Sequence, residues 1–194
     1  MTKPHYFIAV SLPKEVKQFL KQWCQENKNV FPFKKWVHWE DYHLTLAFLG
    51  EVPDRELLKV KENVSKAIAG FQHLPTSASD LGVFGNPDAP RVFWAGINVP
   101  EKLYKLQDAV KEAVESTGLQ VDKKPFNPHI TLARKWEGHE MFSSDELRKA
   151  SEAKLDKPSF SISEINLYQT HLDRIPKYEA IETWFLKETA EGEK

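Results

Sequence analysis

The sequence contains one pattern twice, and this internal repeat restricts the fold more than any other feature. A short apolar strand ending at Pro13 leads into a predicted helix and later into a strand that contains His43. The same succession follows Pro100 and reaches His129. The two prolines lie 87 positions apart and the two histidines 86 positions apart. A repeat kept to within one residue predicts two similar lobes related by a pseudo-twofold axis. We therefore expect the two histidine strands to face each other across a cleft.

The spacing of apolar residues predicts the elements between these landmarks. Helical spacing predicts amphipathic helices after Pro13, after Pro53 and from Leu103 to a stop at Gly118, with a weaker helix from roughly Ser144 to Ala153. Alternating segments bounded by turn residues predict strands at Tyr6–Leu12, His43–Leu49, Ser77–Phe84, Val92–Asn98, His129–Ala133, Phe160–Tyr168 and Tyr178–Phe185. Without a strict strand–helix–strand rhythm, this order predicts an α+β fold, with two mostly antiparallel sheets, helices packed outside and a central cleft.

A His-x-Thr motif stands at the same place in each repeat. On a strand, His43 and Thr45 point to one face, about 6–7 Å apart along it, and His129 and Thr131 repeat the arrangement. Imidazole titrates near neutrality and can give or take a proton, whereas a hydroxyl can hydrogen-bond a phosphate oxygen. Each motif is followed by Leu-Ala, and a pair of such matches at equivalent repeat positions is a specific signal. The motifs predict a base, an acid and two phosphate anchors.

Strand alternation assigns directions to the residues beside these motifs. Phe48 should point away from His43 into the core, and Trp94 and Trp184 should also be core residues on strands. Unbroken alternation would likewise turn Arg134 away from the cleft. It reaches the cleft only if the strand ends or bulges near Ala133.

A basic and aromatic stretch, Lys34–Trp39, precedes the first motif and contains His38. It could stack a base and steer a phosphate, but a strand or loop that closes the lobe is the favoured interpretation. The remaining histidines have no partner pattern and are interpreted as non-catalytic: His5, His73, His139 and His171.

Composition excludes several classes of protein. The formal net charge is −1, so a large nucleic-acid footprint is not expected, and an RNA partner should be short or held at one end. Cys24 is the only cysteine, which excludes an internal disulfide framework and a thiolate metal cage. No apolar run is long enough for a membrane span, and the first residues lack the pattern of a signal peptide. We expect a cytoplasmic monomer without membrane contact.

Longer stretches around these motifs resemble a known family. They are His5–Val10, His43–Val52, Gly82–Gly85, Arg91–Trp94 and Lys124–Arg134. In them the chain resembles the 2H phosphoesterase superfamily, which is named for two His-x-Thr/Ser motifs. Within that superfamily it is similar to the bacterial RNA 2',3'-cyclic phosphodiesterases, formerly called 2'-5' RNA ligases. The resemblance covers nearly the whole chain up to Arg134 and is looser beyond it.

The resemblance implies a function and a role for each candidate residue. It implies hydrolysis of a terminal RNA 2',3'-cyclic phosphate, or of a small cyclic nucleotide, to a 2'-phosphomonoester, without a metal or other cofactor. His43 would be the proton donor and His129 the proton acceptor, and Arg134 would contact the phosphate together with Thr45 and Thr131. We expect positions 1–187 to form a single bilobal domain and positions 188–194 a solvated tail.

Three alternatives remain open from the residues alone. The histidines could be metal ligands, although the sequence has no His-x-His and no HExxH, and neither His-x-Thr motif itself carries an acidic residue. They could instead hydrogen-bond an RNA end without catalysis. A 2'-5' phosphodiesterase or ligase that acts on another small nucleotide is the third alternative.

Overall fold

The computed structural model of the chain describes residues 4–122, 124–152 and 156–188. Within them the helices are α1 (Lys14–Asn27), α2 (Asp54–Ile68), α3 (Glu101–Glu115) and α4 (Ser144–Glu152), with a short 3-10 turn at Trp39–Asp41. The strands are β1 (His5–Ser11), β2 (Phe33–Trp36), β3 (His43–Glu51), β4 (Leu74–Asn86), β5 (Ala89–Ile97), β6 (Ile130–Trp136), β7 (Ser159–Ile162), β8 (Glu164–Thr170) and β9 (Tyr178–Phe185). The predicted helices are confirmed; Ala153 and tail positions 189–194 lie outside the described residues.

The nine strands form a sheet whose order reflects the sequence repeat. The order is β7-β4-β5-β6-β3-β1-β8-β9, with β2 paired to β6, and these neighbouring strands all pair antiparallel. The two motif strands, β3 and β6, are neighbours at the centre, each flanked by its own lobe. They pair at one position, where Leu44 lies opposite Ile130. The predicted α+β bilobal fold is confirmed, but the strands form one continuous sheet, and not two, in which the lobes meet at this narrow junction.

The main core lies between the sheet and the helices. A proline occupies the position before α1, α2 and α3, where its fixed φ suits the start of a helix. Each helix then buries its apolar face against the sheet. Strand β1 is buried on both faces, since a second, small cluster of Phe7, Ala9 and Tyr168 covers its other side. No helix in the described part of the chain is long and apolar enough to cross a membrane.

The predicted strand Phe160–Tyr168 is wrong as a single element. The chain breaks it at Ser163, because β7 pairs with β4 at one end of the sheet and β8 pairs with β1 near the other. A connection of one residue can join strands so far apart in sheet order only if the sheet curls round. The parallel bridge between Gln72 and Lys187 also closes this gap.

Candidate active site

The fold brings the two His-x-Thr motifs together at the junction of its lobes. Since Leu44 pairs with Ile130 in antiparallel register, the next positions set His43 opposite Thr131 and Thr45 opposite His129. His129 itself lies just before β6, which begins one residue later than predicted. Each histidine therefore lies near the threonine of the other motif.

Both imidazoles are held by the same local contact. Nδ1 of His43 lies 2.7 Å from the carbonyl oxygen of Asp41, and Nδ1 of His129 lies 2.7 Å from the carbonyl oxygen of Asn127. A carbonyl can only accept, so Nδ1 carries the proton in each ring and Nε2 is left to act on a ligand. In the neutral ring of His43, Nε2 accepts a hydrogen bond from the hydroxyl of Thr45 at 3.1 Å.

Each motif strand has a bulge directly after its threonine. Ile8 and Ala9 of β1 pair with Ala47 and Thr45, which leaves Leu46 as an extra residue on β3. In the other lobe, Phe93 and Trp94 of β5 pair with Ala133 and Thr131, so Leu132 is extra on β6. Both extra leucines are buried together with the alanines that follow them. Two successive residues therefore point inward, and the alternation beyond each bulge is reversed.

The bulges decide where Phe48 and Arg134 lie. The prediction that Phe48 belongs to the core is wrong: it is 58% exposed and lines the same pocket as His43, because the bulge turns it to that face. Arg134 is exposed and reaches this pocket for the same reason. The predicted condition for Arg134, a bulge near Ala133, is thus confirmed as geometry. Both residues stand five positions after their histidine.

These side chains surround a pocket of about 320 Å³, here called the central pocket. Its lining includes four of the five predicted site residues: His43, Thr45, Thr131 and Arg134. His129 does not belong to the lining, but the register at the junction sets it opposite Thr45, which does. The volume is near the lower limit for small-ligand pockets.

Aromatic rings pack round the two imidazoles in different ways. The ring of Tyr178 meets His43 edge-on, 5.2 Å between centroids, and Phe7 lies 4.8 Å away. Phe84 meets His129 edge-on at 4.9 Å, and Trp94 lies 6.5 Å from that ring. The prediction of Trp94 as a core residue is wrong, because it is half-buried and covers Gly82 on the face that carries His129. Trp184 is buried, as predicted.

A buried carboxylate connects the first motif to a distant segment. Asp41 is only 5% exposed, and its side chain accepts hydrogen bonds from the backbone N–H groups of Lys177 (3.0 Å) and Tyr178 (3.1 Å). Its own carbonyl is the acceptor for His43. Asp41 therefore holds both the imidazole of His43 and the start of β9, where the ring of Tyr178 packs against that imidazole.

Burial makes both histidines harder to protonate than usual. It lowers the pKa of His43 to about 4; the positive charges of Lys17 and His129 also lower it, against the raising effect of Asp41. Burial likewise lowers the pKa of His129, and the charge of Arg134 adds to that effect. Both rings are therefore mostly neutral at pH 7 in the free protein.

Sequence reasoning missed two contributors to this site. Tyr178 arrives through the pairing of β9 with β8, and no local pattern marks it. Asp41 did have a signal, because an Asp or Asn stands two residues before each motif histidine, as Asp41 and Asn127. Within residues 4–122, 124–152 and 156–188, no three His, Cys, Asp or Glu side chains are grouped to hold a metal ion.

Comparison with known proteins identifies a matching family and several relatives of this chain. Residues 13–174 match the sequence model of the 2'-5' RNA ligase superfamily. An RNA 2',3'-cyclic phosphodiesterase of Geobacillus stearothermophilus is 40% identical over 99% of this chain, which spans 60% of that protein's length. A protein of the same name from Bacillus subtilis is 34% identical, over 92% of this chain and 94% of its own.

Solved structures show the same fold. Escherichia coli LigT complexed with 3'-AMP superposes with a TM-score of 0.75 at 24% identity, over 95% of this chain and 99% of its own. A protein of Thermus thermophilus also gives a TM-score of 0.75, at 25% identity, over 95% and 98% of the two chains.

Proposed function

Because this chain belongs to the 2'-5' RNA ligase superfamily, we propose that it hydrolyses terminal RNA 2',3'-cyclic phosphodiesters to 2'-phosphomonoesters by general acid–base catalysis with two histidines. One observation carries the proposal: both imidazoles are tied through Nδ1 to the carbonyl two residues earlier, at 2.7 Å in each lobe. The two lobes thus hold their imidazoles in the same way, with Nδ1 engaged and Nε2 available, where β3 and β6 meet. In-line displacement at phosphorus needs such a pair, one on the side of the attacking oxygen and one on the side of the leaving oxygen.

The reaction assigns one proton transfer to each ring. Water attacks phosphorus opposite O3' and gives a proton to Nε2 of His129. The P–O3' bond breaks as Nε2–H of His43 protonates O3', and the phosphate stays on O2'. Thr45, Thr131 and Arg134 donate hydrogen bonds to the non-bridging oxygens, which stabilises charge there. The resemblance to the 2H phosphoesterases supplies this choice of donor, acceptor and leaving oxygen.

The low pKa of His43 makes protonation of the acid depend on the substrate. With a pKa of about 4, His43 is neutral in the free protein at pH 7. A cyclic phosphodiester carries one negative charge, and binding it beside Nε2 raises the pKa of the imidazole. The substrate itself thereby favours the charged ring that it needs as proton donor.

Metal independence is part of the proposal. His43 has the Thr45 hydroxyl and the Tyr178 ring beside it, and His129 has the Phe84 ring, whereas catalytic zinc sites combine three histidine or carboxylate ligands. Turnover should persist in excess chelator. Loss of turnover in chelator, restored by added Zn²⁺, would instead make the histidines metal ligands.

The direct test is incubation with an RNA that ends in a 2',3'-cyclic phosphate, followed by identification of the product ends. We expect a 2'-phosphate, which a 3'-specific phosphatase does not remove. His43→Ala and His129→Ala should each lower kcat by several orders of magnitude, since general acid–base help contributes about 10²–10⁴-fold per group. The matched control is His139→Ala, at an exposed histidine, which should keep wild-type turnover.

The outcomes separate the competing functions. Tight binding of the RNA end with no change of the cyclic phosphate, even after long incubation, would identify a binding module and overturn the proposal. Near-wild-type kcat in either motif variant would remove that histidine from the mechanism. A product with mainly 3'-phosphate ends would reverse the assignment of the leaving oxygen.

A further inference from the structure

A second and larger cavity opens beside the central pocket. It has a volume of about 810 Å³ and shares Val37, Arg134 and Tyr178 with the pocket lining. Its walls are the end of α1, strand β2 with the turn that follows it, and the segment before β9. We call it the basic groove, because its lining contains six cationic side chains: Lys21, Lys28, Lys34, Lys35, Arg134 and Lys177. A ligand in the pocket can therefore continue into the groove without leaving the protein surface.

The positive charge of the groove is poorly neutralised. Its one carboxylate, Asp41, is buried and bonded to two backbone N–H groups. Lys34 forms an ion pair with Glu137 at 3.1 Å, but among the described residues Lys28 and Lys35 have no such partner. The whole chain has a formal net charge of −1, so the groove concentrates cations on a protein that is not basic overall.

Two of these cations are placed directly against each other. Lys35 of β2 lies opposite Arg134 of β6, and cross-strand partners project to the same face. Like charges in this arrangement destabilise a sheet, by a few tenths of a kcal/mol to about 1 kcal/mol. Both side chains are exposed, and an anion between them would remove the repulsion. Such a pair suits a ligand with successive negative charges.

Acidic side chains lie next to the other end of the central pocket. A neighbouring cavity there shares His5 and Thr170 with the pocket, and its lining includes the carboxylates of Glu51 and Asp173. A polyanion bound at the centre is therefore attracted toward the basic groove and repelled from the other side. Charge alone gives the bound chain a direction.

The groove also offers aromatic surfaces. Trp36 and Trp39 line it and are half-buried, and the ammonium of Lys21 lies 4.7 Å from the ring centre of Trp39. Single-stranded nucleic acids bind where a basic groove follows the backbone and aromatic rings stack with bases. The groove has about two and a half times the volume of the pocket. If the pocket holds the terminal nucleotide, the groove has room for about two more.

We propose that the basic groove binds the single-stranded RNA immediately 5' of the terminal cyclic phosphate, so that the preferred substrate is an oligonucleotide and not a cyclic mononucleotide. The inference rests on the proposed function for its starting point in the pocket. The phosphates that precede the terminal nucleotide lie along Lys35, Lys28 and Lys177, with Arg134 at the boundary.

The test compares a cyclic mononucleotide with a four-nucleotide RNA that ends in a 2',3'-cyclic phosphate. We expect kcat/KM of the wild type to be at least about tenfold higher for the tetranucleotide. The kcat/KM for the tetranucleotide should also fall more steeply as salt is added, by about 0.7 log unit per log unit of salt concentration for each extra phosphate bound. Lys35→Glu and Lys28→Glu should lower this selectivity ratio at least about fivefold. Lys102→Glu, at an exposed lysine of α3 outside the groove, is the matched control.

Equal kcat/KM for the two substrates, or an equal loss of the ratio in Lys102→Glu, would overturn the inference while the proposed function stands. If neither substrate is hydrolysed, the proposed function fails and the groove is tested by itself. A fluorescent tetranucleotide with a 2'-phosphate should then still bind the wild type, measured by anisotropy, and bind Lys35→Glu at least about fivefold more weakly. Equal affinities in that assay would also reject the groove.

Discussion

Replacing Asp41 by alanine tests whether one buried carboxylate supports both the stability of the protein and the geometry of its site. The substitution leaves the backbone carbonyl that accepts from His43, so the direct tie to the imidazole survives. It removes the acceptor of the N–H groups of Lys177 and Tyr178. The start of β9, and with it the ring that packs edge-on against His43, loses its anchor.

The expected magnitude follows from these two donors. Hydrogen bonds to a charged group contribute about 1.5–3 kcal/mol each, which gives about 3–6 kcal/mol for the pair. Lys177 is exposed, so water can reach the freed N–H groups, and the lower limit of about 3 kcal/mol applies. For a chain of this length that is a fall in Tm of about 6–12 °C. Displacement of Tyr178 by about 1 Å should lower kcat/KM by up to about 100-fold.

Urea unfolding and hydrolysis of a cyclic nucleotide measure the two effects. Asp41→Asn keeps one acceptor oxygen and should lose about half of the stability that Asp41→Ala loses. Asp108→Ala, at an exposed aspartate of α3, is the control and should change the free energy of unfolding by less than about 0.5 kcal/mol. An unfolding free energy for Asp41→Ala within that same margin of wild type would show that the carboxylate does not anchor β9, and the reasoning would be refuted.

Further predictions concern the histidines and their neighbours. The pKa values of His43 and His129 are both lowered in the free protein. The bell-shaped pH profile of kcat/KM, which reports the protein without substrate, should therefore be centred below pH 6.5. The profile of kcat should be centred at higher pH, because the bound phosphate raises the pKa values of both histidines. A rate that rises steadily into alkaline pH would contradict this. Arg134→Ala removes a charge that lowers the pKa of His129, so an NMR titration should show a higher pKa for His129 in this variant. An unchanged pKa would show that Arg134 lies too far from His129 to affect it. A Cβ at Gly82 would overlap the indole of Trp94, so Gly82→Ala should lower stability by about 1–3 kcal/mol and also activity, whereas Gly70→Ala, with open space around it, should do neither.

The sequence repeat was sufficient to predict the fold class and the meeting of the two motifs. Apolar periodicity located α1, α2 and α3, and equivalence of the two halves placed β3 and β6 together. Both inferences depend on local spacing and on symmetry, which a single sequence contains. The roles of the five candidate residues stay predictions until they are tested.

What the sequence could not predict depends on pairing with distant strands. Alternation alone turned Phe48 inward, because the extra residue at Leu46 is visible only against the register of β1. Trp94 was predicted to be a core residue, because no local pattern shows that it pairs with Gly82 of β4. Since Gly82 has no side chain, the indole ring of Trp94 can lie over it. Tyr178 reaches the site through a strand 135 positions beyond His43 in sequence. Each miss is a case in which tertiary context overrides a local pattern.

The two equivalent bulges repeat one local backbone geometry on the two motif strands of the site. Positions 48 and 134 correspond in the repeat, and one carries a flat apolar ring where the other carries a cationic fork. In the proposed reaction, this difference between the two side chains is one source of the distinction between O2' and O3'. Regiochemistry is then open to change by substitution without any rebuilding of the fold. The exchange Phe48→Arg with Arg134→Phe is the shortest path by which such a duplicated scaffold could come to release the opposite phosphate isomer.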